Sequence, residues 1–169
     1  MDSAAVDTVA PPSTAPSIPI KENDISKRGI KFRAANGTPI NIHGEKDLNG
    51  VNNEWSTVGM KAQVADVNKV LGSVYQMCKA GNKVIFDINE KDPNKGGYIE
   101  NKSTGSRTFM EVNQVTGEFQ FDLWIKKQVE AGNSDRIKVS NRFGALQSIE
   151  ETQEDPSNDQ GFRRQADPL

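Results

Sequence analysis

The sequence predicts a mainly β fold with one short helix. Three observations predict it: several runs alternate apolar with polar residues, glycine-containing turn signals separate those runs, and a single stretch shifts to helical spacing. Residues 10–28, APPSTAPSIPIKENDISKR, carry four prolines and few large apolar groups, so they read as a long surface loop. GIKFRAANGTPINIHG follows. Phe32 leads into Asn36-Gly37, the strongest short-range hairpin signal, and Ile40 and Ile42 alternate beyond it.

EWSTVGMKAQVADV places Met60, Ala62 and Val64 on one face of a further strand, with Gly59 expected to interrupt it. VLGSVYQMCKAGN changes period: Leu71, Val74 and Cys78 sit at helical spacing, and Gly81 suits the left-handed position that ends a helix. KVIFDI is again a strand, and GYIENKSTGSRTFMEV reads as two strands around a Thr104-Gly105 turn. In NQVTGEFQFDLWI, Phe119, Phe121, Leu123 and Ile125 alternate strictly after Gly117. Beyond Lys126 the pattern dissolves, and 128–169 reads as a disordered acidic and polar tail. Phe143, Leu146 and Ile149 could form one edge of a short docking helix within it.

Composition narrows the function classes. A chain of 169 residues has room for one ordinary domain and some unstructured length. Its 34% hydrophobic content and mean hydropathy of -0.67 fit that division. A net charge of -2 argues against a nucleic-acid partner, which needs basic residues gathered on one face. Apolar runs of about 18 residues and a signal pattern are both missing, so the expectation is an intracellular, cytoplasmic protein with no membrane partner.

Cys78 and His43 are the only residues of their types, which excludes an intrachain disulfide and a Cys/His zinc site. A Cys78–His43 nucleophile pair is a minor alternative to a core cysteine. FDINEKDPN holds Asp87, Asn89, Glu90, Asp92 and Asn94, but it lacks the glycine and terminal glutamate of a calcium loop and reads as a polar turn. Trp55 and Trp124 read as partly buried packing residues or sheet-edge aromatics. No cofactor or metal is expected.

The opening MDSAAVDTVAP carries the sharpest chemical signal. Aspartic-protease chemistry needs two carboxylates sharing one proton, and a chain with one such aspartate supplies the second by dimerising about a two-fold axis. Small residues must follow the aspartate, because two loops meet at that axis; Asp2-Ser3-Ala4-Ala5 meets the size demand. The plain alternative is a solvated acid at the chain terminus.

These residues resemble the active-site loop of the retroviral and copia-type retrotransposon aspartic proteases, Asp-Ser/Thr-Gly-Ala, with Asp7, Thr8 and Val9 continuing the likeness. RAANGTPINIHGEK is similar to the flap hairpin of the copia-type enzymes, and DVNKVLGSVYQM to their later apolar segment. AGNKVIFD and GEFQFDLW are similar to what precedes the integrase zinc module, whose His and Cys ligands have no counterpart here. The resemblance covers residues 2 to about 126. It implies a retropepsin-like closed barrel over 1–82 lacking its N-terminal strand, a β-hairpin extension over 83–127, and the tail.

The resemblance further implies that Asp2 is the catalytic carboxylate, with Ser3 as a cross-axis hydroxyl and Ala4 in the same loop. Ala5 and Asp7 would lie by the peptide subsites, Ala35, Asn36 and Gly37 would form the flap tip, and Val70, Leu71 and Gly72 the loop beneath the site. Two features depart from the family. Ala4 stands where it has Gly, at a cost of ~1 to 3 kcal/mol if the loop needs a glycine-like conformation, and the apolar strands before the aspartate are missing. The functional expectation is a homodimeric endopeptidase acting on a peptide or polyprotein, and the rival is a catalytically inactive β domain that binds peptides or another protein.

Overall fold

The computed structural model describes residues 6–126 and 134–141. In chain order the elements are β1 (Val9–Ala10), α1 (Asp24–Lys27), β2 (Lys31–Arg33), β3 (Pro39–Val51), β4 (Thr57–Ala65), β5 (Val70–Leu71), α2 (Val74–Lys79), β6 (Asn82–Phe86), β7 (Lys95–Asn101), β8 (Arg107–Asn113), β9 (Glu118–Lys126) and β10 (Ser134–Asn141). The fold is mainly β, as the alternation predicts, with two short helices among the described residues rather than one. The added helix, α1, lies inside the stretch read as loop, and its start is fixed by Asn23 and Ser26, each accepting the other's backbone N–H.

The strands pair in the order β2-β3-β4-β1-β5-β10-β9-β8-β7-β6, and β3 pairs a second time with β9. The order therefore returns through β3, β4, β1, β5, β10 and β9. This ring is not the expected closed barrel. β1 and β5 contribute two residues each, β3 meets β9 only at Gly50–Ile125 and Val51–Trp124, and β8, β7 and β6 continue outward as open sheet. Gly50 permits the β3–β9 approach, since a Cβ there would run into the carbonyl oxygen of Trp124. Pairing also runs across the expected division at 82/83, because β9 binds β3 and β10 binds β5.

Alternation decides which faces are buried. Phe119, Phe121, Leu123 and Ile125 of β9 all turn inward, at 9%, 6%, 0% and 1% exposure, and join Ala62, Met110, Val112, Ile137 and Val139 in the main apolar cluster. Met60 and Val58 pack against the same cluster from β4, which runs unbroken through Gly59. A second cluster holds Val9, Phe32, Ile42 and Ala65, with Ile25, Ile40, Val67 and Leu71 packed against it.

Three readings need correction. Ser134–Asn141, placed in the disordered tail, forms β10, which pairs with β9 along its whole length and with β5 in parallel. The alternation was present in Arg136-Ile137-Lys138-Val139, where Ile137 and Val139 are buried, but the polar composition around it hid it. Cys78 is exposed rather than core, because α2 buries none of its residues, and His43 Nε2 instead lies 2.6 Å from Asp66. Trp55 is 84% exposed in a left-handed turn conformation. The remainder of the tail, with Phe143, Leu146 and Ile149, lies outside the described residues.

Charged groups built into the core are answered locally. Lys46, 2% exposed, donates to the carbonyl oxygens of Pro12 (3.1 Å), Thr14 (2.7 Å) and Ala15 (3.4 Å), and so fastens the proline-rich loop onto β3. Asp122 on β9 is 4% exposed, and β10 supplies Arg136 at 2.6 Å and Lys138 at 3.1 Å. Burial alone would push the Asp122 carboxyl up, but those two cations outweigh it and hold it below its ordinary value.

A depressed carboxyl stabilises the fold above its unfolded pKa, and that stabilisation is lost as pH falls through the folded one. Urea unfolding of Asp122→Asn beside the unmodified protein should therefore show a gap at neutral pH. The gap should close as pH falls below the ordinary carboxylate range, ~4.

Candidate functional site

The segment that follows Asp2-Ser3-Ala4-Ala5 in sequence is held inside the pairing order, between β4 and β5. Val9 and Ala10 have no exposed surface; β4 lies parallel on one side, with Val9 opposite Gln63, and β5 antiparallel on the other, with Val9 opposite Leu71. Just before them, Thr8 is buried, its carbonyl accepts from Gln63 N (2.8 Å) and its Oγ1 accepts from Ser73 N (3.0 Å).

Ser73 caps α2 through Oγ, which accepts from Gln76 N at 3.2 Å. Ser73-Val74-Tyr75-Gln76 has the spacing of a capping box, in which the Gln side chain would reach back to the cap's own N–H. Here Thr8 takes that N–H. Gln76 Nε2 is left to donate to Val6 O (3.0 Å) and to Asp7 Oδ1 (2.8 Å), and Ser73 Oγ also reaches Val6 O (3.2 Å). Residues 6–8 are thus tied to the start of α2 by side chains from both partners.

The expected loop beneath the site lies against this segment. Val70 is buried, Leu71 pairs with Val9, and Gly72 donates to Ser140 O at 2.9 Å. A Cβ at Gly72 would press on Met77 Cε (2.7 Å) and Val139 Cγ1 (3.0 Å), so β10 and α2 close in on a bare backbone. The hairpin expected to act as a flap forms over β2 and β3, with a five-residue loop, 34–38. Gly37 N donates to Ala34 O (2.8 Å) and Gly37 takes φ +83°, so the glycine alone turns left-handed where an Asn-Gly two-residue turn would place both residues there.

Ala35 and Asn36 are exposed at the tip, and the hydrogen bonds of the loop are local. Its stem is not isolated: Phe32, Ile40 and Ile42 share an apolar cluster with Val9 and Leu71. The structure therefore joins Asp7, Val70, Leu71, Gly72 and the hairpin stem around β1, while the tip residues Ala35, Asn36 and Gly37 stand apart. Asp2, Ser3, Ala4 and Ala5 lie outside the described residues.

Sequence reasoning missed Thr8, Ser73 and Gln76. The capping-box spacing at 73–76 would have found the last two and would have started the helix at Val74 instead of including Leu71. Next to Asp7 opens a cavity of about 410 Å³, walled by β4, α2, the β7–β8 hairpin and Phe121. Among the described residues no group of three or more His, Cys, Asp or Glu side chains could hold a metal ion, and no helix is long and apolar enough to cross a membrane. No family model, curated protein or solved structure matches the chain.

The Thr8–Ser73 bond is open to direct test. Thr8→Val keeps the shape but removes the Thr8 Oγ1 acceptor from the buried Ser73 N–H, and should cost ~1–3 kcal/mol in urea unfolding, whereas Thr8→Ser should recover most of it.

Proposed function

We propose that the chain is an aspartic endopeptidase of retropepsin-like descent from a retrotransposon polyprotein, acting in the cytoplasm as a homodimer without a cofactor. The observation that carries the reading is the convergence on β1. The segment that follows Asp2, the stem of the hairpin that would cover a peptide, and the Val70-Leu71-Gly72 loop pack into one cluster through Val9, Phe32, Ile40, Ile42 and Leu71. Those segments are the ones a dyad enzyme must fix relative to one another.

In this reading each subunit brings one Asp2 to the two-fold axis. The ionised carboxylate accepts a proton from a water as its oxygen attacks the scissile carbonyl, and the protonated one donates to the developing oxyanion. Ser3 hydrogen-bonds across the axis, and the methyl of Ala4 widens the approach of the two loops. Ala5 and Asp7 border the peptide subsites, and Gln76 fixes the Asp7 carboxylate from behind.

A second reading, a catalytically inactive β domain that binds peptides or another protein, is favoured by the cavity beside Asp7, whose described walls come from β4, α2 and the β7–β8 hairpin. Cleavage of a polyprotein-derived peptide library by the purified chain, followed by mass spectrometry, separates the two. The protease reading expects an acid-leaning pH profile, a concentration-dependent dimer by light scattering, and loss of all cleavage in Asp2→Asn. Activity persisting in Asp2→Asn, or a strict monomer that binds peptides uncut, sinks it in favour of the second.

A further inference from the structure

We propose that the cavity beside Asp7 is a binding slot for an extended polypeptide strand, which pairs with the edge of β4 at Thr57–Lys61 that no described strand takes. Hydrogen-bond phase makes the argument. In the β3–β4 ladder Asn52 N donates to Ser56 O, while Gln63 N points the other way, to Thr8 O. The register between those points is regular, so the residues in phase with Gln63 point their N–H and C=O groups away from β3. These are Thr57, Gly59 and Lys61, and all three line the cavity.

β1 uses this edge only at Gln63 and Val64. Toward the start of the chain it is drawn off β4 by the bonds from Ser73 and Gln76 to Val6 and Asp7. Among the described residues no strand pairs with Thr57–Lys61 on this side. The slot is thus a continuation of an existing strand-pairing seam, and its occupant adds to the sheet in line with β1.

The walls suit a peptide better than a compact ligand. Three donor–acceptor pairs repeat every second residue, ~6.6 Å apart, a spacing that another β-strand reproduces. The floor is apolar, from Met60, Met77, Ile99 and Phe121, and takes alternate side chains. The far rim holds carboxamides. Asn82 uses Nδ2 on Met77 O and Asn101 uses Oδ1 on the Ser103 and Thr104 amides, which among the described residues leaves an acceptor on the first and a donor on the second. A volume of about 410 Å³ lies within the usual range for ligand sites. The occupant is a short extended segment of another protein with apolar residues at alternate positions.

The slot shares Asp7 and Gln76 with the residues given roles in the protease reading. The test uses the full chain carrying Asp2→Asn, so that proteolysis and binding are read separately. The probe is the capped peptide acetyl-Lys-Val-Thr-Val-Thr-Val-Lys-amide, titrated to about 1 mM against ¹⁵N-labelled protein, with amide hydrogen exchange measured at each step. Expected is saturable protection of the Thr57, Gly59 and Lys61 amides, with Val58 and Met60, already bonded to β3, unchanged. N-methylation of the peptide in one alternate set of residues should weaken binding about tenfold or more, and in the other set leave it nearly intact.

No saturation, or shifts without that alternation, overturns the proposal. So does protection of the three amides before peptide is added: if it grows with protein concentration a second copy fills the slot, and if it does not, the chain's own residues do.

Discussion

Two residues with no exposed surface, Val9 and Ala10, hold the two halves of the molecule together. β1 is flanked by β4, which belongs with the β2–β3 hairpin, and by β5, which leads through β10 to the long antiparallel sheet. So short a strand contributes little pairing of its own. What fixes it is the side-chain bonding just before it, Thr8 to Ser73 and Gln76 to Asp7, together with the burial of Val9 in one cluster and Ala10 in the other. Hydrophobic burial and buried polar satisfaction meet at one point, where an N–H left without a partner would be expensive.

The sheet is also clamped by charge placed where it is screened least. Lys46 gathers three carbonyl oxygens of the proline-rich loop, and burial lowers its pKa. Asp122 draws Arg136 and Lys138 of β10 onto β9, with the Arg136 guanidinium also 5.5 Å from the centre of the Trp124 ring. Glu118, itself buried, pairs with Lys69 just before β5. Each contact links segments remote in sequence, and each fixes register at a place where apolar alternation by itself would tolerate sliding.

What was legible in the sequence was what periodicity and turn chemistry encode. The four inward residues of β9, the Met60-Ala62-Val64 face of β4, and the left-handed glycines 105 and 117 all stand where alternation and turn rules put them. What was illegible was non-local or too short to have a period. β1 and β5 carry two residues each, and the β3–β9 contact depends on a glycine meeting a carbonyl late in the chain. β10 did alternate, but its outward positions are Arg136 and Lys138, and their partner Asp122 sits on another strand, so the charges read as solvated until the pairing was known. The site divides in the same way: Asp7 and the 70–72 loop stood out by resemblance, whereas Thr8 acquires a role only once Ser73 arrives beside it.

The parallel seating of β10 on β5 governs the order in which this molecule can be made. Val70 waits for Val139 and Leu71 for Ser140, so during translation the seam stays open until β10 has left the ribosome. Until then β5 offers an unpaired flank, and the apolar side chains that Ile137 and Val139 will cover face water. A nascent chain of this design depends on late, long-range closure, which makes premature termination before β10 a route to aggregation rather than to a smaller folded product.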